Sequence, residues 1–168
     1  MVSKKIFYFG GQKSGKTKLA LHHTLKLAKN KKPFYIATYH NIYNDKAMQY
    51  KINKHIKERN NQFITIEEPK KLSKVIQSNQ TYIIDCISMW IFNNLNKNQK
   101  WFLKELKKLF QINANIIFVL NEVNLGIIPI NKQSRKFIDI SGIVGQYLAK
   151  HSNTTYNIKF GKKIKLKE

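Results

Sequence analysis

Acidic residues are scarce in this chain: nine Asp and Glu stand against 31 Lys and Arg, for a formal charge of +22. Arginine is scarcer still, with only Arg59 and Arg135, which leaves 29 lysines spread among many Asn and Ile. A surface chosen to read phosphates favours the planar arginine fork. The lysines therefore read as a solvated surface that attracts anions at low salt, and no specific nucleic-acid partner is expected. A single cysteine, Cys86, excludes an internal disulfide and fits a reducing compartment. No run reaches the roughly 18 apolar residues that a membrane span needs, so a soluble, cytoplasmic protein is expected. Pro33, Pro69 and Pro129 are scattered, and no Gly/Ser-rich tract or internal repeat divides the chain. Residues 1–168 are read as one domain, long enough to bury about 70% of the surface its unfolded form exposes. Neither His40 nor His55 has cysteine or paired-histidine company at zinc spacing.

What the sequence does have is "FGGQKSGKTK" at residues 9–18. Gly10, Gly11, Gln12, Lys13, Ser14, Gly15, Lys16 and Thr17 fit G-x-x-x-x-G-K-[ST], a phosphate-binding loop. The context agrees, since "KKIFYF" before it reads as a buried strand and "TKLALHHTLKLAKN" after it places Leu19, Ala20, His23, Leu25 and Leu27 at helical spacing. Glycines let the backbone turn tightly and aim N–H groups inward, and the helix N-terminus adds positive potential. Lys16 would reach the β- and γ-phosphates of a nucleoside triphosphate, ATP or GTP, and Thr17 would hold Mg²⁺.

Beyond the loop, strands are expected at 32–38, within 62–69, at 80–86 and at 114–123. Helices are expected at 44–61, just after Pro69, over "ISMWIFNNL", over "QKWFLKELKKLFQI" and over 130–152. In the second-last of these, Trp101, Leu103, Leu106, Leu109 and Phe110 form the predicted apolar stripe. A hairpin turning at Gly161 closes the chain. Alternating strands and helices imply an α/β sandwich with a mostly parallel sheet, and ligands of such sheets lie at the carboxyl ends of the strands. That rule gathers Gly10–Thr17, Thr38–Tyr43, Asp85 and Asn121–Glu122 on one rim. Asp85, ending a buried strand, is the candidate Mg²⁺-supporting carboxylate; capping the next helix is the competing role. Glu122 is placed equivalently, with a lysine ion pair as its alternative. Cys86 is read as a small packed residue.

Residue chemistry alone does not single out a catalytic histidine, because a lysine-rich helix carrying His55 also reads as a solvated helix. It leaves a monofunctional P-loop kinase for a small alcohol open. The blocks "FGGQKSGKTKLA", "YIATYHNIYNDKAMQYKINKHIKERNNQFITIEEP", "YIIDCISMWIFNNL", "NEVNLGIIP" and "NKQSRKFIDISGIVGQYLAK", in this order over nearly the whole chain, resemble the bifunctional adenosylcobinamide kinase / adenosylcobinamide-phosphate guanylyltransferase family (CobU/CobP). The resemblance implies a three-layer, RecA-like P-loop fold and a homotrimer whose active site borders a subunit interface. It implies phosphorylation of adenosylcobinamide by a nucleoside triphosphate. It also implies transfer of GMP from GTP, through a guanylylated histidine, onto adenosylcobinamide phosphate. His55, bracketed by Lys51-Ile52 and Arg59, falls at the guanylylated position, and the same blocks put Thr38, Arg59 and Glu67 with the nucleotide. The chain departs from the family pattern at Asn124, Ile130, Ile138, Ile143 and Tyr147, where glycine, glutamate and arginines are usual. The phosphate loop and His55 are untouched by these departures.

Overall fold

The computed structural model describes residues 2–39, 61–123, 126 and 128–167. Strands are β1 (Lys5–Gly10), β2 (Phe34–Ala37), β3 (Ile64–Glu67), β4 (Thr81–Asp85), β5 (Asn115–Asn121), β6 (Thr154–Lys159) and β7 (Lys162–Lys167). Helices are α1 (Lys16–Ala28), α2 (Ile87–Asn93), α3 (Gln99–Gln111) and α4 (Lys132–His151). The strands form one sheet in the order β3-β2-β4-β5-β1-β6-β7, parallel throughout except for β7, which runs back along β6.

Central strands covered on both faces read as continuous apolar runs, and alternation decides which residue meets which layer. In β1 and β5, Ile6, Tyr8, Ile117 and Val119 face α1, where Ala20 lies against the sheet. Phe7, Ile116, Phe118 and Leu120 face the opposite way, into a core with Trp90, Phe102, Leu106, Val144 and Leu148 of α2, α3 and α4. Rings tie this second layer together: Trp90 meets Phe102 edge-on at 5.2 Å, and Phe110 stacks on Phe118 at 5.4 Å. Asn98 and Asn131 cap α3 and α4, their side chains accepting N–H bonds from the first turns.

Three expectations change. The helix expected after Pro69 is only a single 3₁₀ turn at Leu72–Lys74. Its backbone N–H groups go elsewhere: Glu68 accepts those of Lys70 and Lys71, Glu105 that of Ser73, and the Tyr82 hydroxyl that of Gln77. In α3 the buried residues are Phe102, Glu105, Leu106 and Leu109, so the stripe is rotated from the expected one; Trp101 and Phe110 pack at its margin. In α1 the small residues Ala20, Thr24 and Ala28 lie deepest, together with Lys16, and the leucines flank them half-buried. Small side chains let the helix sit close to the sheet just where the phosphate loop joins them. The helix expected at 44–61 lies outside the described residues, apart from its final position.

Candidate active site

The parallel register brings the strand ends onto one rim, with Gly10 beside Asn121, Val119 beside Asp85, and Asp85 and Glu67 on either side of Ala37. β1 delivers the phosphate loop to this rim. Gly10 lies so close to β6 that a Cβ would meet the Ile158 carbonyl oxygen at 2.4 Å, so any larger residue would push the strands apart. Gly15, at the N-cap of α1, has a φ of 92°, the left-handed region that glycine occupies without penalty. Within the loop the Ser14 N–H donates to the Gly11 carbonyl at 3.3 Å, and the Ser14 carbonyl accepts the N–H of Gly161 at 2.8 Å. The turn between β6 and β7 is thus fastened to the loop.

Lys16 opens α1 and is only 6% exposed. Its ammonium donates to the Gly11 carbonyl at 3.0 Å, reaching back across the loop. Burial lowers its pKa, while the nearby Asp85 and Cys86 pull the other way. An ammonium taken from water and held by a carbonyl is ready to exchange that partner for phosphate oxygens. The hydroxyl of Ser14 is buried without a hydrogen-bond partner among the described residues, a polar atom that a bound phosphate could satisfy. Gln12 and Lys13 are exposed at the loop's crest.

Asp85 accepts a hydrogen bond from the Tyr35 hydroxyl at 3.0 Å, which orients a carboxylate oxygen. Among the described residues no three His, Cys, Asp or Glu gather into a metal cage. Mg²⁺ does not need one: it usually keeps waters and takes one or two protein oxygens with substrate phosphates. Thr17 in the first turn of α1 and Asp85 at the end of β4 supply that kind of donor set. The Asp85–Cys86 peptide bond is cis. Burial first, then the Asp85 charge, pushes the Cys86 thiol up to about 12, which removes it as a thiolate at neutral pH.

Other expected site residues are placed differently. Thr38 is fully buried, and its hydroxyl both donates to the Cys86 carbonyl at 2.7 Å and accepts the Cys86 N–H at 3.0 Å. It braces the end of β4 and has no hydroxyl proton left over for a nucleotide. Glu67 is exposed at the end of β3, four strands from β1, or about 19 Å at ordinary strand spacing; it shares the rim but does not meet the loop. Glu122 donates its N–H to the Gly10 carbonyl at 2.9 Å, helping to hold the loop's first residue. His55 and Arg59 lie outside the described residues. Sequence reasoning missed Tyr35 and the bond that fastens the hairpin turn to the loop, since each matters through a partner remote in the chain. Of the departures from the family pattern, Ile138 lines a shallow cavity with Val123, Pro129, Arg135 and Asp139.

The sequence model of the family described as "Cobinamide kinase / cobinamide phosphate guanyltransferase" matches residues 6–166. The chain belongs to that family. Among its relatives is the bifunctional adenosylcobalamin biosynthesis protein CobP of Pseudomonas aeruginosa, 30% identical, with 83% of this chain and 84% of the relative covered. The bifunctional adenosylcobalamin biosynthesis proteins CobU of Escherichia coli and Salmonella typhimurium are 25% and 26% identical, each covering 96% of this chain and 99% of the relative. Members of the family are transferases, and this chain is placed with enzymes of that kind. In structure the chain is similar to the flagellar accessory protein FlaH of Methanocaldococcus jannaschii, with a TM-score of 0.52 and 16% identity over 99% of this chain and 79% of that one. That likeness concerns the fold alone. It agrees with a three-layer P-loop architecture ending in an antiparallel hairpin.

Proposed function

We propose that this chain performs both reactions of its family, phosphorylating adenosylcobinamide and then converting the product to adenosylcobinamide-GDP. The observation that carries the reading is Lys16, folded over a glycine loop onto the Gly11 carbonyl, in a chain whose family model spans residues 6–166. In the first step the aminopropanol hydroxyl oxygen attacks the γ-phosphorus of ATP or GTP, the bond to the β-phosphate oxygen breaks, the nucleoside diphosphate leaves and the hydroxyl proton passes to solvent. The loop N–H groups and Lys16 hold the β- and γ-phosphates and take up the developing charge. Mg²⁺, held by Thr17 and Asp85, would neutralise the phosphate oxygens when bound.

In the second step a neutral His55 imidazole nitrogen attacks the α-phosphorus of GTP and pyrophosphate departs, leaving a phosphoramidate. A phosphate oxygen of adenosylcobinamide phosphate then displaces the imidazole, which regenerates His55. Two in-line displacements replace one difficult one. Arg59, four residues from His55, is assigned to the nucleotide in this reading, while Thr38 contributes by bracing Asp85's neighbour. Glu67, expected with the nucleotide, lies on the far side of Asp85 from the loop and has no part in the first step of this reading. A homotrimer in the cytoplasm completes the proposal.

The test is incubation with α-labelled GTP and Mg²⁺, then denaturation, intact mass and a peptide map, with Lys16→Ala and His55→Gln in parallel. The expected result is a GMP adduct on His55, absent from both variants and discharged by adenosylcobinamide phosphate. GTP binding without any adduct would remove the guanylyltransferase step and leave a monofunctional P-loop kinase.

A further inference from the structure

The hairpin fastened to the phosphate loop has an unexpected residue at its tip. β6 and β7 are joined by two residues, Phe160 and Gly161, with Lys159 paired to Lys162. Both turn residues have positive φ, 48° and 73°, as a type I′ hairpin turn requires. Glycine meets that demand freely, and Asn or Asp meets it at the first position; a bulky aromatic there is the costly choice. Packing does not compensate, because Phe160 is 97% exposed. Folding of the hairpin thus gives no reason for an aromatic ring at this position.

Location supplies a reason. The residue after Phe160 donates its N–H to the Ser14 carbonyl at 2.8 Å, and a Cβ on Gly15 would lie 3.3 Å from its Cα. Phe160 is therefore one residue from main chain in contact with the phosphate cradle. Asp85, the carboxylate suited to the metal, ends β4 on the side of β1 occupied by β5. The turn closes the other side, beyond β6. A nucleoside triphosphate whose terminal phosphates point toward Asp85 must carry its base the opposite way, past this turn.

We propose that Phe160 is the stacking platform for the base of the nucleotide held on the phosphate loop. The proposal rests on the nucleotide-binding reading of that loop. Stacking uses the π face that every base has, so Phe160 serves ATP and GTP alike and leaves base identity to other groups. Because the turn is hydrogen-bonded to the loop, base and phosphates are referred to one rigid unit.

The test is titration calorimetry of the full chain with GTP, ATP and inorganic tripolyphosphate in Mg²⁺ at moderate salt, for wild type, Phe160→Asn, Phe160→Trp and Lys16→Ala. Asn takes a left-handed turn position readily, so Phe160→Asn is expected to melt at or above the wild-type temperature. Its affinity for GTP and for ATP should fall on the order of ten-fold, with tripolyphosphate unchanged. Phe160→Trp should retain GTP affinity and show fluorescence quenching by GTP beyond that of the native Trp90 and Trp101. Unchanged GTP affinity in Phe160→Asn, or no added quenching in Phe160→Trp, refutes the stacking role while Lys16-dependent binding stands. Equal loss of GTP and tripolyphosphate refutes it too, as damage to the loop. A changed oligomeric state at constant affinity would reassign the ring to a subunit contact. If instead Lys16→Ala binds GTP as wild type does, the reading of the loop itself fails.

Discussion

Tyr35 holds Asp85 from across one strand pairing, with its hydroxyl 3.0 Å from the carboxylate. Its ring also packs edge-on against Phe63 at 6.3 Å, so Tyr35→Phe removes the hydrogen bond and keeps the packing. Groups that orient a metal-supporting carboxylate typically alter metal affinity by ten-fold or more when removed. In Tyr35→Phe the Mg²⁺ concentration for half-maximal turnover should rise about ten-fold, while urea unfolding shifts by no more than about 1.5 kcal/mol. An unchanged Mg²⁺ titration would mean that Asp85 is not positioned for the metal by Tyr35. Residues at this scale were legible in the sequence only where the chemistry is local. Gly10 to Thr17 are read from spacing, because one short loop must wrap one phosphate chain. Tyr35 could not be read so, since its partner is 50 residues away and nothing in "PFYIAT" says which face Tyr35 takes. Thr38 was placed correctly on the rim, but its commitment to Cys86 depends on strands that pair only in the folded protein.

Among elements, α3 shows how a helical stripe is misjudged. Apolarity alone favours Leu103 and excludes Glu105, yet Glu105 is buried because Ser73 N–H and the Lys108 ammonium, at 2.9 and 3.2 Å, satisfy its two oxygens. Rotating the face to include it brings Phe102 into the core, where it is fully buried against Trp90 and Trp101. Phe102→Ala should cost about 3–5 kcal/mol in denaturant unfolding, and Leu103→Ala less than half of that. The reverse order would restore the apolar stripe read from the sequence. The same buried carboxylate explains part of the missing helix after Pro69, because it claims the Ser73 N–H. The strands were easier to foresee: β1, β4 and β5 each carry an unbroken apolar run between their end residues, at 6–9, 82–84 and 116–120, and that pattern survives any choice of neighbours.

For the molecule as a whole, the charge of +22 acts at long range and not through a designed patch. It should speed the approach of an anionic nucleotide and be screened by salt, since the Debye length shrinks from about 10 Å at 0.1 M to about 3 Å at 1 M. The association rate constant for GTP, followed by stopped flow, should fall several-fold between 50 mM and 500 mM KCl. A flat profile would mean that the lysines do not steer the ligand. Lysines serve a second purpose on β7, the sheet's edge, where "KKIKLK" sets charges along a strand that could otherwise pair with another chain. The hydrogen bond from Gly161 to the Ser14 carbonyl also bears on how the protein is made. A ribosome releases residue 14 long before residue 161, so a growing chain has the loop's sequence but lacks the loop's flanking wall until a further 147 residues have been added. Such distant contacts slow folding. They also mean that an interrupted chain lacks the wall and has not completed the place where nucleotide would be held.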